Sequence, residues 1–193
     1  SAGVHVRRLT RRSEPAAAAM RRTAATIARR LGVDRPVRVR ISSIADGPAT
    51  LGWLRPIILL PPAAVLGVTP AQLEALLAHE IAHIKRYDYL VNVAQMIVET
   101  LFFYHPAIWW TSRRIRAERE LCCDDMAVAT CGDALGYAQA LTKVARLRLA
   151  EPAVSAAGGP LLARIQRVPG RPAPHATSAP AWTASAVAPT VLA

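Results

Sequence analysis

Lysine is nearly missing from this chain of 193 residues: only Lys85 and Lys143 accompany 22 arginines. Aromatic residues make up only 5%, and none occurs before Trp53. Cysteine is limited to Cys122, Cys123 and Cys131, two of them adjacent. Three thiols make no even framework, which argues against a disulfide scaffold and for a reducing compartment. No uninterrupted apolar run reaches the ~18 residues that mark a clear transmembrane helix. The glycines and prolines follow no period, so a collagen-like fibre is excluded. No internal repeat is visible. With 52% hydrophobic residues the chain is also not intrinsically disordered, and its length fits one ordinary domain. It opens on Ser1 instead of methionine, which reads as a fragment or a processed chain.

The net charge is +11, but it is unevenly spread. Eleven arginines oppose only Glu14 and Asp34 in residues 1–40. Without interleaved aromatics this is a poor pattern for nucleic-acid recognition. The cluster Arg7, Arg8, Arg11 and Arg12 fits the basic flank on the cytoplasmic side of a membrane span, and residues 1–12 are read as a juxtamembrane segment. A solvated arginine-rich helix face is the plainer alternative.

Ser13-Glu14-Pro15 reads as a helix start, with Met20, Ala24, Ile27 and Leu31 forming its apolar stripe and Gly32 its end. Val37, Val39 and Ile41 alternate with arginines as in a half-buried strand. Asp46-Gly47-Pro48 reads as a turn, and Ala49 to Leu60 as extended chain broken at Arg55-Pro56, closed by Pro61-Pro62. Thr69-Pro70-Ala71-Gln72 is a capping box with proline in the first turn, so a helix is expected through Leu73, Leu77, Ile81 and Ile84 to about Tyr87. A mostly apolar helix follows to about Tyr104. His105-Pro106 opens another that runs to Gly132, and Asp133 caps a last one to about Ala150. The stretch from Tyr89 to Ser112 is apolar enough to either pack inside the domain or dip into lipid. Residues 151–193 carry seven prolines and twelve alanines and read as a mostly disordered tail, with Leu161 to Val168 as the exception. The uncharged end, Ala181 to Ala193, reads either as a floppy tail or as the start of a membrane span.

The chemistry concentrates in His79-Glu80-Ile81-Ala82-His83. At i and i+4 on a helix the two imidazoles share a face and are close enough to share one ion. Neutral imidazole suits zinc, and three protein ligands plus an open position make a catalytic site. Glu80 is then the general base acting on water at the ion. With five histidines and seven glutamates the motif arises by chance on the order of once in 200 such chains. The capped helix around it therefore adds weight that the five residues alone lack.

A third ligand must come from elsewhere. The metzincin extension needs glycine where Arg86 stands and histidine where Tyr89 stands, so that class is excluded. His5 and His175 lie in the arginine-rich start and the tail. Asp88, Glu99, His105 and the acids between Arg113 and Asp125 remain as candidates. Glu120 and Asp124, at i and i+4, repel each other unless a cation neutralises them. A zinc ion on Glu120, with Asp124 bonding a ligand histidine from behind, resolves that repulsion. The competing arrangement pairs Arg116 with Glu120 along a solvated face. Glu118 points away from this face and is the reserve ligand. Cys122 and Cys123 read as buried fillers more readily than as thiolate ligands. His105 either begins a helix or hydrogen-bonds a reacting oxygen beside the site.

Four motifs in order carry a resemblance: Gly52-Trp-Leu-Arg-Pro-Ile-Ile-Leu-Leu-Pro61, His79 to Asp88, Phe103-Tyr-His-Pro106, and Arg113 to Asp125. Together they resemble the BlaR/MecR family of bacterial membrane-embedded zinc metallopeptidases, antirepressors in β-lactam sensing, over roughly residues 15–168. The resemblance implies a gluzincin-like peptidase domain facing the cytoplasm between membrane spans. It implies one zinc ion on His79, His83 and Glu120, with Glu80 as base and Asp124 as the motif's aspartate. Within these 193 residues no penicillin-binding sensor domain and none of the family's flanking spans are expected.

The expected architecture is therefore an α+β zincin-like metallopeptidase domain, mostly helical, with a small β-sheet beside the HExxH helix. It is expected over residues 13–150. The expected function is a zinc-dependent endopeptidase of the bacterial cell membrane that cleaves a cytosolic protein in signal transduction. A transcriptional repressor is the substrate the resemblance suggests, and no direct nucleic-acid contact is expected. The alternative is a catalytically silent zinc-binding signalling module, against which an intact Glu80 argues. A basic nucleic-acid or membrane-surface binder rests on residues 1–40 alone.

Overall fold

The computed structural model describes residues 13–45, 47–66, 68–149 and 164–168. They form an α+β domain: a four-stranded sheet of order β1-β2-β4-β3 beside a mostly helical body. The strands are β1 (Ser13–Pro15), β2 (Arg38–Ser42), β3 (Ala49–Leu51) and β4 (Ile57–Leu60). The helices are α1 (Ala18–Arg30), α2 (Pro62–Val65), α3 (Pro70–Lys85), α4 (Asp88–Leu101), α5 (Pro106–Cys131) and α6 (Ala134–Leu149). The arginine-rich start and the uncharged end, including His5 and His175, lie outside the described residues.

The first described residues depart from the expected helix. Ser13 to Pro15 is an edge strand, antiparallel to β2 with Ser13 opposite Ser42. Arg40 donates to the Ser13 hydroxyl at 2.6 Å, which takes the group that would have capped a helix. Pro15, with no N–H, sits on an edge strand without losing a ladder bond. The helix begins at Ala18 instead and buries the expected stripe of Met20, Ala24 and Ile27. It ends where Gly32 adopts φ +69°, and Val33 N–H bonds back to Ala28 O at 2.8 Å.

β2 and β4 run parallel, and β3 returns antiparallel along β4 with Thr50 opposite Ile58. The expected break at Arg55-Pro56 is the loop between β3 and β4, where Gly52 takes φ +78°. Pro61-Pro62 does not simply close the strand: Pro62 opens the one-turn helix α2. β3 forms one edge of the sheet and lies beside α3.

α3 is the axis of the domain. Its capping box is complete, with Gln72 N–H on the Thr69 hydroxyl at 3.2 Å and Thr69 N–H on the Gln72 side chain at 3.1 Å. Leu77, Ala78, Ile81 and Ala82 are fully buried, so the helix is enclosed on nearly all sides. α1, α5, α6 and β3 all pack on it. Arg35 donates to the terminal carbonyl of Ile84 at 2.9 Å and stacks 4.2 Å above the Tyr87 ring. Tyr87 itself is left-handed at φ +57°, an uncommon conformation for a bulky residue, and it folds α4 back against α3. Asp133 caps α6 from the position before it, its carboxylate accepting Gly136 N–H at 2.8 Å.

The helices α4 and α5 form a hairpin whose far end is apolar and open to solvent. Met96, Ile97, Leu101, Phe103, Tyr104 and Trp110 are all exposed there. Among the described residues no helix is long and apolar enough to cross a membrane. The body does not end with α6. Residues 164–168 form one helical turn that packs Ile165 and Val168 against the main core.

Candidate metal centre

α3 carries His79 and His83 one turn apart, with their Nε2 atoms 3.1 Å from each other. α5 crosses α3 and brings Glu120 to the same point: its Oε2 lies 3.6 Å from His79 Nε2 and its Oε1 3.6 Å from His83 Nε2. A tetrahedral ion with bonds of about 2.0–2.1 Å holds its ligand atoms roughly 3.3 Å apart. The three separations bracket that value.

The far nitrogens of both rings are occupied. His83 Nδ1 lies 2.7 Å from Asp88 Oδ2, so Nδ1–H donates to the carboxylate and Nε2 of the neutral ring is left as a lone pair. His79 Nδ1 lies 2.8 Å from the Tyr137 hydroxyl and 3.2 Å from Asp124 Oδ1. Tyr137 donates its own proton to Asp124 at 2.5 Å, so His79 Nδ1–H donates to it and Nε2 is again a lone pair. With both rings neutral, two imidazole lone pairs and a carboxylate face one another. That donor set fits a divalent cation.

The charges point the same way. Burial by itself lowers the pKa of His79, but hydrogen bonds to Asp124 and Glu120 and the nearby charge of Glu80 outweigh it and raise it to about 9. The metal-free site therefore draws a positive charge to the position a metal would take. Burial pushes Glu120 up, yet His79 and the Arg164 charge hold it at about 2. Asp124 is completely buried and is held well below the usual carboxylate range, chiefly by Arg164 and His79 working against that burial.

Glu80 is buried next to His79, and the Thr50 hydroxyl of β3 donates to its Oε2 at 2.8 Å. The edge strand thus touches the carboxylate expected to act as base.

Other expected residues go elsewhere. His105 caps α5, its Nδ1 accepting Ala107 N–H at 3.3 Å. Fifteen residues separate it from Glu120 on that helix, about 22 Å of rise. It is exposed and does not stand beside the site, because its role at the helix terminus fixes it at the hairpin's far end. Glu118 pairs with Arg114 at 2.8 Å on the outer face of α5. Arg116 does not pair with Glu120 but with Glu99 across the hairpin. Asp88, a candidate ligand in the sequence, supports His83 instead.

Cys123 lies 3.3 Å from His83 Nδ1 and 3.7 Å from Asp88, a second grouping of metal-ligand types. Burial, with Asp88 and Glu120 close by, pushes its thiol far up, and it stays protonated. A neutral thiol around an already bonded Nδ1 is a poorer donor set than the first group.

Tyr137 and Arg164 escaped the reading of the sequence. Arg164 reaches Glu120 at 2.7 Å and Asp124 at 2.6 and 2.8 Å. The Glu120–Asp124 repulsion is thus relieved in part by an arginine, and the repulsion alone does not demand a metal. The only available signal was the apolar stretch Leu161 to Val168 standing out in a proline-rich tail.

The sequence profile described as BlaR1 peptidase M56 matches residues 1–166. The regulatory protein BlaR1 of Bacillus licheniformis is 29% identical over 89 residues. The methicillin resistance mecR1 proteins of Staphylococcus aureus and Staphylococcus epidermidis are each 25% identical over 88 residues. Each match covers 46% of this chain and 15% of the relative, so the chain spans a small part of those proteins' length.

Proposed function

This chain belongs to the BlaR1 peptidase M56 family, and on that premise we propose that it is the zinc-dependent endopeptidase domain of a bacterial membrane protein. One observation carries the reading: His79, His83 and Glu120 converge within 4.8 Å, with both far ring nitrogens already bonded and Glu80 alongside. Bound zinc supplies a Lewis acid that acidifies water and polarises a peptide carbonyl. Glu80 takes the proton of the attacking water and returns it to the departing amine. Thr50 fixes one oxygen of that carboxylate and leaves the other for the proton. The free edge of β3 receives the substrate as an added strand, which lays an extended segment past Glu80.

The names of the relatives, a regulatory protein and resistance proteins, support a signalling role. The substrate we infer is a cytosolic protein, with a transcriptional repressor as the leading choice. Residues 1–12 act as the basic juxtamembrane segment, residues 13–150 with the turn at 164–168 as the peptidase unit, and the rest as a tail. The exposed aromatic end of the α4–α5 hairpin, with Arg113 and Arg114 close behind it, suits the interface of an anionic cytoplasmic leaflet.

The test is Glu80→Gln. The variant should keep zinc and lose cleavage of a quenched fluorescent peptide library. Wild-type cleavage by the variant would refute the base. A zinc-loaded wild type that cleaves nothing would instead favour the silent signalling module.

A further inference from the structure

The site contains a cation, Arg164, that takes no part in the proton transfers of Glu80. Arg164 arrives from a turn that lies fifteen residues beyond the end of α6. Ile165 and Val168 anchor that turn in the core, and Arg167 pairs with Asp125 at 3.2 Å. Arg164 and Arg167, three residues apart, therefore lie along the acidic face of α5. Arg164 spreads its guanidinium over two carboxylates. Nε and Nη2 hold the two oxygens of Asp124 at 2.8 and 2.6 Å, while Nη1 holds Glu120 Oε2 at 2.7 Å.

That arrangement divides the oxygens of Glu120. Oε2 bears the guanidinium and also lies 3.6 Å from His79 Nε2, whereas Oε1 faces His83 Nε2 at 3.6 Å. With part of its capacity engaged by the guanidinium, Oε2 is the weaker donor and Oε1 the stronger one toward a metal. The same guanidinium locks Asp124, whose Oδ1 receives both Tyr137 and His79. A planar fork with fixed donor directions does both at once, which a lysine ammonium cannot.

We propose that Arg164 is a positioning residue of the metal centre, which restricts Glu120 to single-oxygen coordination and fixes the orientation of His79 through Asp124. This rests on the zinc-site reading given above. Single-oxygen binding by Glu120 keeps a coordination position open for water and substrate. It also makes the site depend on a segment far along the chain from its ligands.

The experiment compares Arg164→Met and Arg164→Lys with the wild type, all as the full chain. Zinc affinity is measured by competition with a chelator, and the visible spectrum is recorded with cobalt in place of zinc. Arg164→Met should lose about 10–100-fold in zinc affinity, as residues supporting metal ligands do. Its cobalt absorption should weaken, because a two-oxygen Glu120 raises the coordination number. Arg164→Lys should recover part of the affinity but keep the weakened cobalt spectrum, since it restores charge without the fork. Should Arg164→Met not fold, the Arg164→Lys spectrum decides alone. Wild-type affinity and spectrum in the folded variants would overturn the proposal and leave the zinc site standing. A wild type that binds neither metal would overturn both.

Discussion

The two histidines sit one turn apart on one helix, yet they are supported in opposite ways. His83 is held by Asp88, five residues further on, which the left-handed Tyr87 turns back to meet it. His79 is held by Asp124 and Tyr137 from two other helices, and Asp124 in turn by Arg164 from a third segment. One support is local and needs a single bend of the backbone. The other exists only when three distant pieces have packed. The comparison shows that a compact five-residue motif can have one arm tied to its neighbours and the other tied to the whole fold.

Glu120 belongs to neither support, and its removal should have the largest effect. Glu120→Ala should leave two imidazoles and lose zinc on dialysis, a deficit beyond the roughly 10–100-fold typical of supporting residues. Metal analysis after dialysis checks this.

Asp124→Asn and Asp88→Asn then test the comparison itself. Asp124 is fully buried against a mostly buried guanidinium, and breaking such a pair costs about 3–5 kcal/mol. Asp88→Asn mainly weakens one hydrogen bond to a ring, about 1–3 kcal/mol. Urea unfolding of the metal-free variants measures both. Equal losses would break the distinction between the local and the distant arm.

A smaller effect separates the metal-free and zinc-loaded forms. The pKa of His79 is raised in the fold from 6.5 to about 9, so its protonation stabilises the metal-free protein. That contribution is full below about 6.5 and is lost as pH rises through about 9. The melting temperature in chelator should therefore fall between those values, and Asp124→Asn should flatten the decline. Zinc replaces the proton, so the loaded protein should show no such decline. A melting temperature in chelator that stays level across this window would count against the raised pKa.

The smallest change is expected from Glu118→Ala, because that carboxylate faces outward on Arg114. Its zinc affinity should match the wild type in the same chelator competition. A loss there would mean that the wrong face of α5 meets the site.

Much of this was legible in the residues. The capping box at Thr69, the helix start at Pro106 and the stop at Gly132 are local events, set by hydrogen bonds and backbone freedom within a few positions. The spacing of His79 and His83 is equally local, since helix geometry alone puts i and i+4 on one face. Even the common face of Glu120 and Asp124 follows from the period of α5. Ser13 is a case where local reading failed, because Arg40 from another strand took the capping hydroxyl.

What only the tertiary structure decided is which groups meet across the chain. Asp88 fits a ligand and a support equally well by type; the bend at Tyr87 makes it the support. His105 has the chemistry of a site residue, but the length of α5 carries it away. Nothing in the order of residues links Arg164 to Glu120, 44 positions earlier, or Tyr137 to His79, 58 positions earlier. The apolar residues of α3 and of the α4–α5 hairpin look alike as letters, yet one set is enclosed and the other exposed. Residue type and helical period act over a few ångströms along the chain. Burial, charge pairing and the convergence of ligands depend on which surfaces the packed helices bring together.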